Sequence, residues 1–225
     1  MPPKNPNLRR VYHLTSVEYA LSNIALGRLK VSRLFDLNDP FELMAADFRA
    51  SSVRDVVRGF MSEFDSSMGL LCFSEDWAEP LLWSHYAVKH RGICLGFNVP
   101  KNKLEKVRYR DKRILAKLGV GQDPGMLSAS LQKALRVTKY KGWSYEKEYR
   151  CFIPLAETLM EGRLHYVRFG AGLELAEVIL GDRCDASVES IKEFVGIKYP
   201  NAEVFSARLK FAEKFRVVPK EKTIA

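Results

Sequence analysis

No stretch of the chain is apolar for long enough to cross a bilayer, which takes about 20 consecutive apolar residues in a helix. The opening Met1-Pro2-Pro3-Lys4-Asn5-Pro6 lacks the apolar core of a secretory signal, so a cytoplasmic protein without membrane contact is expected. Cysteine is scarce. The four residues at 72, 94, 151 and 184 form no Cys-x-x-Cys pair, and three lie in apolar runs, which reads as free core thiols in a reducing compartment. His85 and His90 are five apart with no third ligand at a familiar spacing, so no metal is expected. There is no Gly-rich phosphate loop, HExxH or GxSxG, which removes the commonest nucleotide-triphosphate, zinc-protease and hydrolase readings. No repeat and no Gly/Ser linker divides residues 1–225, so the chain reads as one domain whose motifs fall within about 8–218.

The composition, 47% hydrophobic and 28% charged, is that of an ordinary globular protein. Its net charge of +9 is localised. Residues 101–141 hold 12 Lys and Arg against 3 Asp and Glu, so the rest of the chain balances to zero. Such a patch attracts polyanions, and nucleic acid contact through 101–141 is one reading; a solvated helical face is the other.

Hydrophobic periodicity predicts mixed strands and helices. Leu8 to Leu14 reads as a strand, followed by a helix capped by Thr15 with Glu18 and stopped by Gly27. A second strand is expected at Leu29 to Ser32 and an amphipathic helix over 52–66. Gly69 to Ser74 reads as a strand, Pro80 as the start of a helix through Tyr86, and Gly92 to Asn98 as a central strand apolar on both faces. The basic region reads as a strand and then helices. Later strands are expected at 148–154, 164–169, 177–180, 204–207 and 215–218, with a helix over 187–199. The fold class is α+β, with helices around a mainly antiparallel sheet or a split pair of sheets.

Five segments carry polar residues where apolar ones would pack more easily. In Tyr12-His13-Leu14-Thr15, strand alternation puts His13 and Thr15 on one face. Asn38-Asp39-Pro40-Phe41-Glu42 is, taken alone, a turn. Cys72-Phe73-Ser74-Glu75 ends a strand on a hydroxyl and a carboxylate. Trp83-Ser84-His85-Tyr86-Ala87 puts Trp83 and Tyr86 on one helical face, with Trp83 as core. From Trp143 to Phe152 the period becomes two, which would align Glu146, Glu148 and Arg150. That is either a surface ladder or a site where an arginine keeps a carboxylate ionised.

These segments, with His90-Arg91-Gly92-Ile93-Cys94-Leu95-Gly96-Phe97, resemble in order the bacterial family known as domain of unknown function 2971. More distantly, the chain resembles the ADP-ribosyltransferase superfamily, which implies split antiparallel sheets with flanking helices and NAD as substrate. By that resemblance His13 would hold the adenosine ribose, Thr15 and the Leu14 backbone would lie near the nicotinamide ribose and amide, and the middle motif would be supplied by Ser74, Trp83 or Tyr86, with Tyr86 the candidate to stack on nicotinamide. Glu148 would be the catalytic carboxylate, and Glu146 would complete a Glu-x-Glu; charge alone, and not the resemblance, points to Arg33 or Arg150 for the pyrophosphate. Leu14 stands where many such transferases have glycine. The implied partner is a macromolecular acceptor, RNA or DNA or protein. Two other readings stay open: a non-catalytic nucleotide- or RNA-binding module, and an RNA-directed phosphotransferase or nuclease, in which His13 and Arg150 handle phosphate.

Overall fold

The computed structural model describes residues 3–46, 51–114 and 127–220. The elements are β1 (Leu8–Thr15), α1 (Val17–Leu26), β2 (Arg28–Val31), α2 (Ser51–Ser67), β3 (Met68–Ser74) and α3 (Pro80–Tyr86). Then follow β4 (Ile93–Pro100), β5 (Glu105–Lys106), β6 (Arg108–Arg110), α4 (Ala129–Arg136), β7 (Thr138–Tyr140) and β8 (Glu148–Pro154). The chain continues through β9 (Leu159–Glu161), β10 (Leu164–Arg168), β11 (Glu174–Leu180), α5 (Val188–Gly196), β12 (Glu203–Leu209) and β13 (Val217–Pro219).

Eight strands form one sheet in the order β13-β12-β11-β4-β1-β3-β8-β5, antiparallel except at β11–β12. Small sheets β2-β10-β9 and β6-β7 lie beside it. The fold is α+β, as the composition of elements led one to expect. On one sheet face Val11, Leu95, Phe97 and Val178 pack against Ala20 and Ile24 of α1 and Ile191 and Val195 of α5. On the other, Leu14, Cys94 and Ile179 pack against Leu82 and Trp83 of α3. Phe64 and Val57 of α2 gather a third cluster with Leu34, Leu43 and Leu135.

Two local features differ from the periodicity reading. The cap of α1 is Ser16, whose hydroxyl accepts from the Tyr19 N–H. Thr15 still belongs to the ladder, opposite Ile93, and so cannot turn to cap. Gly27 does end the helix, at φ 62° in the left-handed region that glycine enters without strain. Secondly, residues 141–146 form a 3-10 turn and Lys147 takes φ 46°, so β8 begins only at Glu148 and Glu146 lies before the strand. Within 101–141 the structure has two short strands, one helix and a third strand; residues 115–126 lie outside the described ones.

One seam in the large sheet positions the site. β1 pairs with β4 along its full length, and β3 pairs likewise with β8, but β1 and β3 share only the register pair Tyr12↔Ser74. Beyond it the two halves part. The β3 edge is picked up again by Ser32, which exchanges two backbone hydrogen bonds with Leu70 at 3.0 and 2.9 Å. Between these two anchor points the Cys72 carbonyl has no strand partner, and the His13 imidazole reaches across to it, Nδ1 to O at 3.4 Å. A buried carbonyl left without a donor is costly, so the imidazole does there what the ladder does elsewhere.

Candidate functional site

The parting of β1 and β3 opens a hollow of about 270 Å³. His13, Ser74, Tyr86, Glu146 and Glu148 all line it, so the first, middle and late motifs meet at one place. They come by different routes. Register places Tyr12, Ser74 and Glu148 on one face and His13 with Leu95 on the other. Side chains from the two faces meet at the hollow because it lies in the seam and not on either face. Thr15 and Arg150 do not line it. Thr15 ends β1 with its carbonyl against Gly92, where an added Cβ would lie 2.1 Å from that oxygen.

Arg150 is 1% exposed and stands behind Glu148. Its Nη1 and Nη2 donate to the two oxygens of Glu42 at 2.8 and 2.7 Å, Nε and Nη2 donate to Glu148 at 2.9 and 3.1 Å, and Nη1 also reaches the Arg136 carbonyl. With its donors directed at these groups, it is a scaffold for two carboxylates and not a free cation for phosphate. Arg33 is likewise engaged, with the carboxylate and carbonyl of Asp65.

Two residues that the sequence reading did not place in the site, Lys139 and Glu42, complete the cluster. Lys139, buried at the middle of β7, donates to Glu146 at 2.6 Å and Glu148 at 3.3 Å and lies 3.6 Å from Glu42. The place between three carboxylates that a divalent cation would fill is thus taken by an ammonium. Glu42 faces Arg150 across the same pocket wall, so the Asn-Asp-Pro-Phe-Glu turn is part of the site as well as a turn. Asn38 of that turn donates to the Tyr86 hydroxyl at 3.0 Å, and the hydroxyl donates to Glu146 at 2.5 Å. The signal available in the sequence was the unusual acidity of the turn's last residue; nothing distinguished Lys139 from the eleven other basic residues of its segment.

The electrostatics separate the two carboxylates. Burial opposes the charge on Glu148, but Arg150 and Lys139 overcome it and hold the group below the ordinary carboxylate range. For Glu146 burial prevails over Lys139, with Glu148 adding to it, and the group is pushed up. Burial would also discharge Lys139, yet Glu148, Glu146 and Glu42 keep it firmly protonated. His13 is pushed down by burial, so its imidazole is neutral at pH 7 and Nδ1 carries the proton donated to Cys72. The Cys72 thiol is raised by burial, with Glu148 adding to it, and is protonated. Glu148 receives three donor contacts, two from Arg150 and one from Lys139. Glu146 receives two, from Tyr86 and Lys139.

Ser74 closes on its own turn: its Oγ accepts from the Asp76 N–H at 3.0 Å. Asp76 in turn holds Arg216 through two contacts of 2.7 Å and Lys147 at 2.8 Å. Burial raises Asp76, but these partners bring it down to about 2. This tie fastens the residue before β13 to the turn that leads into α3.

Residues 82–151 match the model of a family described as protein of unknown function (DUF2971). The matched span holds Tyr86, Lys139, Glu146, Glu148 and Arg150; His13, Glu42 and Ser74 precede it. No curated protein and no solved structure matches the chain. Among the described residues no helix is long and apolar enough to cross a membrane.

Proposed function

We propose that the hollow binds NAD and that the protein is an ADP-ribosyltransferase acting on a macromolecular acceptor. The observation that carries this is the charge of the hollow's wall. Among the described residues three buried carboxylates, Glu42, Glu146 and Glu148, are paired with two cations, Lys139 and Arg150, and Asp36 and Lys30 at the wall leave the balance negative. A net negative apolar-floored hollow suits the positively charged nicotinamide ring, with the Tyr86 ring at its side. The three strands that the ADP-ribosyltransferase resemblance singles out, early, middle and late, are consecutive neighbours β1, β3 and β8 of the large sheet, and the parting of β1 from β3 after one register pair is what supports a division of the sheet at this place. At about 270 Å³ the hollow is near the lower end of ligand pockets, so it takes the nicotinamide half of the dinucleotide and leaves the other half outside. Lys30 is exposed at its wall and makes no ion pair among the described residues, which makes it the cation for the pyrophosphate.

In this reading the bond from ribose C1′ to the nicotinamide nitrogen breaks, and nicotinamide leaves neutral with the electron pair. The positive charge passes to the ribose, where the preformed negative wall stabilises it. Glu148, kept ionised by Arg150 and Lys139, supplies the fixed charge. Glu146, with open acceptor positions and a raised proton affinity, takes the proton of the acceptor group that attacks C1′. Carboxylates pushed in opposite directions suit such a division of roles.

The test is chromatographic detection of nicotinamide released from NAD in the presence of cell lysate or RNA. Release is expected from the natural protein and a fall of about 100-fold or more in Glu146→Gln, checked by melting to be folded. Folded natural protein that releases none with either acceptor overturns the proposal. The three donor contacts already on Glu148 favour a second reading, a binding module whose carboxylate is structural. That reading predicts saturable calorimetric binding of NAD or ADP-ribose with no turnover.

A further inference from the structure

We infer that a second hollow, separated from the first by Lys139, is a binding site for single-stranded nucleic acid. It has a volume of about 340 Å³, and Phe41, Tyr140, Arg110, Lys112 and Arg113 are among the residues around it. Two large aromatic side chains are left in solvent there, Phe41 at 52% and Tyr140 at 55% exposure. The Arg113 guanidinium lies over the Phe41 ring at 5.7 Å, and Arg110 is the register partner of Tyr140 in the β6–β7 pair. Exposed rings interleaved with guanidinium groups are what unstacked bases and a phosphate backbone require, since every base offers a face for stacking and every nucleotide a charge.

The charge distribution points the same way. Much of the basic segment's charge is already answered: Lys106 pairs with Glu75, Lys133 with Glu105 and Lys141 with Asp111, while Lys139 serves the buried carboxylates. Arg108, Arg110 and Lys112 make no ion pair among the described residues, and all three are exposed on or next to β6. Lys101 and Lys103 are likewise exposed and without an ion pair among the described residues, but Arg110 and Lys112 are the ones in the wall of this hollow, beside the two exposed rings. A duplex keeps its bases stacked and would leave both rings in water, so the fit is to single strands.

The chain's course joins the two hollows. Phe41 is in the wall of the second and Glu42, the next residue, in the wall of the first, with Lys139 common to both. A nucleotide stacked on Phe41 would thus stand next to the carboxylate cluster. Its use as the acceptor rests on the transferase reading; the binding itself does not.

Fluorescence anisotropy of a labelled single-stranded RNA and its DNA counterpart, each about a dozen nucleotides long, tests this on the full chain. Both strands are expected to bind, with affinity falling as salt rises by roughly 0.7 log units per log unit for each phosphate neutralised. Lys112→Ala with Arg113→Ala should lower that slope by about one to two. Phe41→Ala with Tyr140→Ala should weaken binding about tenfold or more with the slope unchanged, and Phe41→Leu with Tyr140→Leu should reproduce the loss if the first pair melts early. No binding at low salt, an aromatic variant that binds like the natural protein, or displacement of the RNA by polyglutamate as readily as by unlabelled RNA would each overturn the inference. Oligonucleotide binding without nicotinamide release would refute the transferase and leave this site standing.

Discussion

Replacing Lys139 by methionine keeps the length of the side chain and removes a buried ammonium from among three carboxylates at 2.6, 3.3 and 3.6 Å. Removing one partner of a buried ion pair costs about 3–5 kcal/mol, because the remaining charge loses its compensation without regaining water. Lys139 serves three such partners, so the upper end applies at pH 8. The loss must depend on pH. In the natural protein the depressed Glu148 contributes stability that is fully present above its unfolded value near 4.3 and fades as the pH falls through its folded value. In Lys139→Met, Glu146 loses its nearest cation and rises further. A carboxyl whose folded value is raised destabilises increasingly as the pH climbs from the unfolded value towards the folded one. The gap between the two proteins should therefore be small near pH 4 and widen towards neutrality. Urea unfolding at a series of pH values measures it. Adding Glu146→Gln to Lys139→Met restores the cluster's formal charge and should recover more than about 1 kcal/mol, read as the coupling in a double-mutant cycle. A loss below 1 kcal/mol at pH 8, or one identical at pH 4 and 8, would refute the account of Lys139 as the ion that holds the cluster together.

Two further outcomes follow from the same contacts. Asp76→Asn should cost about 2 kcal/mol at pH 7, from a carboxyl held at about 2 by Arg216 and Lys147. Because that group's folded value is depressed, the cost should vanish as the pH falls from 4 through 2, and urea midpoints of the two proteins should converge there. Tyr86→Phe takes the 2.5 Å donor from Glu146 and leaves Asn38 without its acceptor, so unfolding measurements should show a loss of about 1–3 kcal/mol.

The parts of the fold readable from the sequence are those with local causes. Helical spacing over 52–66, the glycine stop at Gly27 and proline at the first turn of α3 act within a few residues, and the structure has those elements at those places. The doubly apolar run at 92–98 became a strand flanked by β1 and β11, as burial on both faces requires. What periodicity missed was decided by long-range geometry. Alternation aligned Glu146 with Glu148, but the turn at Lys147 places Glu146 before the strand, and only Lys139 and Tyr86 show where its side chain is held. Arg150 looked like a ligand for phosphate because a sequence cannot reveal Glu42, 108 positions away, whose two oxygens take its guanidinium. His13 and Glu148 reach one hollow only because β1 and β3 part after a single pair, and nothing local in either strand announces a seam.

On the proposed reading that the hollow binds NAD, the charge imbalance of the cluster has a thermodynamic consequence that separates the two halves of that ligand. With three carboxylates against two cations, the group most ready to take up a proton is Glu146, whose affinity for it burial and Glu148 raise. A positively charged nicotinamide ring seated beside it favours the ionised form and therefore expels that proton. By linkage, raising the pH through the raised range of Glu146 strengthens NAD binding, and lowering it weakens binding up to tenfold per pH unit for one coupled proton. ADP-ribose, which lacks the cationic ring, has no such partner for Glu146, so its affinity should be nearly flat over the same range. Calorimetry of both ligands in buffers of different ionisation enthalpy counts the protons directly, and Glu146→Gln should abolish the release with NAD. If ADP-ribose releases as many protons as NAD, the negative wall is not what receives the nicotinamide end. The cluster would then be a structural device whose surplus charge is answered by a proton alone.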